Sequence, residues 1–135
     1  MRNEDQFYIG IANEVSTASR AKVKRVGAVL VKDRNILSFG YNGTPSGFAN
    51  TCEGPDKKTL PEVLHAETNA IAKCAQSTQS SAGSTLYCTM SPCFECAKLI
   101  IQAGIKRVVY SDLYHDTKGI ELLTKAGIPA EKIKL

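Results

Sequence analysis

The sequence has no tryptophan, only two histidines and an odd number of cysteines, five in 135 residues. The odd count argues against a full disulfide framework and points to a reduced, cytoplasmic chain. No apolar run approaches the ~20 residues of a membrane helix, so no membrane partner is expected. Residues 1–10 are polar and acidic early, without the apolar core of a secretory signal. Internal repeats and long low-complexity stretches are missing too, which excludes a solenoid. What is present is ordinary for a globular protein: 43% hydrophobic and 22% charged residues. Disorder, collagen and coiled coil are excluded as the main state. The length fits a single domain over residues 1–135. A formal net charge of +4 points to an anionic partner without naming one.

Phe7, Ile11, Val15 and Ala18 recur at nearly helical spacing and predict the inner face of an N-terminal helix. The apolar runs Val26–Val31 and Ile36–Tyr41 flank Lys32–Asn35, the pattern of a hairpin with a polar turn. Residues 42–61 read as a long loop of the functional kind. A helix follows, with Ala70, Ile71, Cys74 and Ala75 as its inner face. Thr85–Met90 reads as a strand. Ser91 and Pro92 suit the cap and first position of the next helix, which Gly104 ends. A strand centred on Val108–Tyr110, a helix from Asp116 to Gly127 and a short strand over 131–134 complete the order α-β-β-α-β-α-β-α-β. Strands separated by helices predict parallel neighbours and a three-layer α/β/α sandwich, with a five-stranded mixed sheet and one antiparallel hairpin.

Two short segments carry chemistry: His65-Ala66-Glu67 and Ser91-Pro92-Cys93-Phe94-Glu95-Cys96. Cys93 and Cys96 lie three apart at the start of a helix, so both sulfurs reach one ion. Helix N-terminal N–H groups favour thiolate over thiol. One such pair is half of a tetrahedral site, and there is no second Cys-x-x-Cys to close it. His65 is the better third ligand, because three protein ligands and one open position make a catalytic zinc site. Glu67 would point about 200° from His65 in a regular helix. Both serve one site only if His65 sits at a loop-to-helix junction. A redox pair and metal-free buried thiols are the alternatives for the cysteines. Cys74 and Cys88 fall in apolar element interiors and read as core residues, and Cys52 is a loop thiol.

These residues resemble the zinc-dependent nucleotide deaminases, whose H-x-E…P-C-x-x-C pattern they match. The resemblance extends over nearly the whole chain, including the element order, and implies a cytidine deaminase-like fold. The segments Gly40–Gly47, His65–Ala70 and Ser111–Asp116 are similar to the deoxycytidylate deaminase branch. Free-nucleoside and transfer-RNA deaminases usually lack Gly40-Tyr41-Asn42-Gly43. The resemblance implies one zinc per chain, held by His65, Cys93 and Cys96, and a zinc-activated hydroxide that attacks C4 of the cytosine ring. Glu67 would carry protons to N3 and to the departing amine. The products would be dUMP, which feeds dTMP synthesis, and ammonia. Some phage members carry a second, structural zinc in an insertion before the histidine, but residues 52–64 here are short and hold no histidine.

The resemblance also implies that the Ala66 N–H holds the pyrimidine carbonyl and that Asn42 holds the deoxyribose hydroxyl, with Thr44 beside it. It implies a homo-oligomer, a hexamer, switched on by dCTP and off by dTTP, with Gly40, Tyr41, Asn42 and Gly43 near that effector site. The residues themselves show a Gly-rich lip that permits close backbone approach. A phosphate needs cations, and Arg20, Lys22, Lys24 and Arg25 form the densest basic cluster. Arg20 and Lys22 are the favoured pair for substrate or effector. Tyr114 reads either as a ring that packs over base or ribose or as an ordinary surface tyrosine. His115 is expected not to ligate. Other readings are deamination of dCTP, of free cytidine or of polymeric nucleic acid, and an inactive zinc-stapled binding module. The absence of an extended basic or aromatic track weighs against nucleic acid, and Glu67 beside an open position weighs against the inactive module.

Overall fold

A computed structural model describes residues 3–134. The elements follow the predicted order: α1 (Glu4–Ser16), β1 (Gly27–Lys32), β2 (Asn35–Tyr41), α2 (Ala66–Ala75), β3 (Thr85–Met90), α3 (Phe94–Gln102), β4 (Arg107–Asp112), α4 (Lys118–Lys125) and β5 (Ala130–Lys132). The sheet runs β2-β1-β3-β4-β5. β1 is antiparallel to both β2 and β3, whereas β3, β4 and β5 are parallel. The α2 crossover does join parallel strands, β2 and β3, but β1 lies between them. The sheet therefore has two antiparallel pairings where the hairpin alone was expected.

Side-chain alternation along the strands builds two cores. Leu30, Leu86, Cys88 and Val108 face α2, α3 and α4 through Ala70, Cys74, Ala97, Ile100 and Leu123. Val29, Val31, Tyr87 and Val109 face α1 through Tyr8, Ile9 and Ala12. This is the three-layer sandwich, and Cys74 and Cys88 are core residues as expected. β1 is buried on both faces.

Several boundaries differ from expectation for identifiable reasons. The buried stripe of α1 is Tyr8, Ile9, Ala12 and Ser16, one residue out of phase with Phe7, Ile11 and Val15. Close approach to the sheet selects small residues at Ala12 and Ser16: a side chain at Gly27 would meet the Ala12 carbonyl and lie 2.6 Å from the Ser16 nitrogen. Phe7 remains half exposed, and Ala75 of α2 is exposed rather than inward. Cys93, not Ser91, caps α3, with extended φ −75° and ψ 175°. The Ser91 hydroxyl instead accepts the Tyr114 N–H at 2.7 Å. Asp116 accepts the Lys118 N–H at 3.0 Å, and Thr117 stands at the cap of α4. Gly104 and Gly127 end their helices at φ +78° and +79°.

Candidate active site

The ends of four strands converge on one edge of the sheet. Val26 enters β1 there and Asn42 leaves β2, while Ser91 and Leu113 follow β3 and β4. The parallel strands present their carboxyl ends at this edge, where open α/β sheets place ligands. The N-termini of α2 and α3 point into the same place. A cavity of about 190 Å³ opens between them, lined by Asn42, His65, Ala66, Glu67, Cys93 and Tyr114 among others.

His65 is the N-cap of α2, with φ −73° and ψ 157°. Its backbone is extended, not helical, which resolves the 200° problem: His65 and Glu67 both turn to one site. The Asn69 N–H closes the first helical bond to the His65 carbonyl at 3.0 Å. The loop ahead is pinned by two bonds between Gly43 and Leu64, of 3.1 and 2.7 Å. On the other side, Ser91 donates its N–H to the Asp112 carbonyl at 2.8 Å. A side chain at Gly119 would collide with the Pro92 carbonyl and lie 2.7 Å from the Cys93 carbonyl. Glycine therefore lets α4 pack directly behind the cysteine loop.

The ligand atoms of His65, Cys93 and Cys96 all lie within 4.8 Å of one another. His65 Nδ1 is 3.2 Å from Cys96 Sγ and 3.5 Å from Cys93 Sγ. Tetrahedral zinc bonds of about 2.0 Å to nitrogen and about 2.3 Å to sulfur place ligand atoms about 3.5–3.8 Å apart, so the trio fits one ion with little movement. Hydrogen bonds from Cys96 and then His65 hold the Cys93 thiol far below its usual range, at about 4. The shared proton with Cys93, then burial, pushes Cys96 in the opposite direction. Cys93 is thus the sulfur that favours the thiolate form, and a bound ion would take the place of the proton between the sulfurs. Glu67 is only 4% exposed, and burial raises its pKa. Among the described residues, this is the group of three metal-binding side chains that the fold assembles. His115 lies outside it, its ring tilted 53° against that of Tyr114 with centroids 4.3 Å apart.

A family model for the cytidine and deoxycytidylate deaminase zinc-binding region matches residues 2–112. The chain belongs to this family. Zinc is the family's ion, and this deaminase domain positions His65, Cys93 and Cys96 to hold one. The chain is 38% identical to the deoxycytidylate deaminase of Mycobacterium phage D29, over 78% of this chain and 92% of that protein. It is also 38% identical to the human deoxycytidylate deaminase, over 94% of this chain and 78% of that one. A crystal structure of the dCMP deaminase from cyanophage S-TIM5 in complex with dCMP and dUMP superposes with a TM-score of 0.95. It shares 47% identity and covers 98% of this chain and 99% of that one.

Within the deaminase site, the residues expected to bind substrate separate. Ala66, Asn42 and Tyr114 line the cavity. The Asn42 side chain is already engaged: its oxygen accepts the Val26 N–H at 2.9 Å and its amide donates to the Lys24 carbonyl at 2.8 Å. Thr44 donates to the Ala49 carbonyl at 3.0 Å and lines a different depression with Arg20, Tyr41 and Gly43. Lys22 lines another, with Arg20 and Glu53. Gly40 is buried against α2. A side chain there would strike the Ala70 nitrogen and lie 2.6 Å from the Ala66 carbonyl. Thr59, Val63 and Met90 also line the cavity and carry no local sequence signal. Lys24, a member of the basic cluster outside the favoured pair Arg20 and Lys22, lines the cavity as well.

Proposed function

We propose that this chain hydrolyses dCMP to dUMP and ammonia. The observation that carries the reading is the burial of Glu67 at the inner end of a cavity whose wall holds the zinc ligands His65 and Cys93. A structural zinc site has no use for a buried carboxyl beside it. The relatives support the substrate, since they are deoxycytidylate deaminases, one of them solved with dCMP and dUMP. Bound zinc supplies Lewis acidity that makes water a nucleophile near neutral pH. The protein's own residues do the rest. Glu67 moves protons between the attacking water, ring N3 and the leaving amine, a role suited to a carboxyl whose burial favours its protonated form. The Ala66 N–H, at the start of α2, holds the pyrimidine carbonyl. Val26, Val63 and Met90 exclude bulk water from the ring.

The finer reading adds dCTP activation, dTTP inhibition and assembly into a hexamer. Its support is a second depression of about 680 Å³, lined by Tyr41, Gly43 and Leu64. The Gly43–Leu64 bridge runs from there to His65. Exposed Ile36 and Phe39 on edge strand β2 favour covering by another copy.

Ammonia release from dCMP, dCTP, cytidine and an RNA hairpin tests the reading, with and without dCTP or dTTP. Turnover is expected to be fastest on dCMP. Equal or faster turnover of cytidine would refute the nucleotide assignment.

A further inference from the structure

We propose that Lys24 holds the 5′-phosphate and sets the preference for a nucleoside monophosphate over a free nucleoside, an inference that rests on the dCMP reading above. Among the described residues lining the cavity, Lys24 is the one lysine or arginine. The other three members of the basic cluster are directed elsewhere. Arg20 and Lys22 line a separate depression of about 630 Å³. There the Glu53 carboxylate accepts the backbone N–H groups of Lys22 at 3.0 Å and Val23 at 3.2 Å. Arg25 donates its Nε–H to the Ala21 carbonyl at 2.9 Å.

Lys24, by contrast, is anchored through its backbone while its side chain stays exposed at the lip. Asn42 grips the backbone that leaves it, at the Lys24 carbonyl and, beyond Arg25, the Val26 N–H. The Asn42 carbonyl in turn accepts the Ser19 hydroxyl at 2.8 Å. A pyrimidine whose reacting carbon lies against Glu67 and the zinc ligands sends its 5′ end outward, toward this lip. Lysine serves there as a point charge on the phosphate. Asn42 is then a positioning residue as well as a cavity wall, because it fixes the place from which the ammonium reaches.

The test compares dCMP with deoxycytidine on the zinc-loaded wild type, Lys24→Ala and Lys24→Arg, and measures binding of dUMP and deoxyuridine by calorimetry. Losing one ion-assisted contact corresponds to roughly a tenfold to hundredfold change. The ratio of kcat/KM for dCMP to that for deoxycytidine should fall by this factor in Lys24→Ala, mainly through KM. Affinity for dUMP should fall in step, and Lys24→Arg should recover most of both. An unchanged ratio in Lys24→Ala, or the same loss in Arg20→Ala or Lys22→Ala instead, would overturn the assignment while leaving the dCMP reading intact. A wild type that does not distinguish dCMP from deoxycytidine would overturn the underlying reading itself.

Discussion

Glu67 is the residue on which the proposed chemistry turns, and the role proposed for it is separable from metal binding. It is buried behind ligands supplied by two other segments, at the loop before α2 and at the start of α3. Glu67→Gln keeps the shape and removes the ionisable oxygen. It should retain one zinc per chain by elemental analysis and lose about 10²- to 10⁴-fold in kcat, the usual worth of a positioned proton carrier. A variant that turns over normally would place the proton path elsewhere. Much of this site was legible in the sequence, because metal ligation needs particular residue types at particular spacings. The junction at His65 was also legible: two residues on opposite helical faces can share a site only if one precedes the helix. The cation proposed for the phosphate was not. Basic residues in a row look equivalent in sequence. What separates Lys24 from Arg20 and Lys22 is a long-range partner, Glu53, that draws the neighbouring backbone away.

At the scale of elements, the site depends on how closely α2 approaches β2. Gly40 sits where the two backbones meet, with the Ser38 hydroxyl donating to the Ala70 carbonyl at 2.7 Å and the Asn69 amide to the Tyr41 carbonyl at 2.7 Å. The methyl of Gly40→Ala would strike backbone rather than a flexible side chain. It should cost about 2 kcal/mol or more of stability, read by denaturant unfolding. It should also weaken zinc retention, because α2 carries His65 at its N-terminus. A neutral substitution would mean that α2 can slide without disturbing the site. The element order was readable from periodicity and turn residues. Two features were not. The phase of α1 depends on the glycine it packs against. The place of β1 between β2 and β3 is a choice of pairing that local sequence does not encode.

Across the whole molecule, the sheet edge opposite the site carries a different polar cluster. The Arg107 guanidinium makes paired bonds to the Asp5 carboxylate at 2.9 and 2.7 Å and reaches Glu131 at 2.9 Å. The Tyr87 hydroxyl donates to Asp5 at 2.7 Å. One cluster thus ties α1 to β3, β4 and β5, joining elements from both ends of the described chain. The bond from Arg107 holds the Asp5 pKa below its ordinary 3.8 despite partial burial, and lowers that of Glu131. A carboxylate whose folded pKa is depressed contributes stability above its unfolded pKa, and that contribution fades as pH falls through the folded value. Asp5 is the stronger contributor, since its side chain is 26% exposed against 48% for Glu131. Asp5→Asn should therefore cost about 1.5–3 kcal/mol at pH 7. The gap in Tm between wild type and variant should begin to narrow as pH falls below about 4, where the unfolded chain takes up its proton, and narrow further as pH falls through the lower folded value of Asp5. Because the cluster lies at the far edge of the sheet, kcat on dCMP at pH 7 should be unchanged below the melting transition. A gap in Tm that does not depend on pH would show that packing, not charge, holds α1 to the sheet.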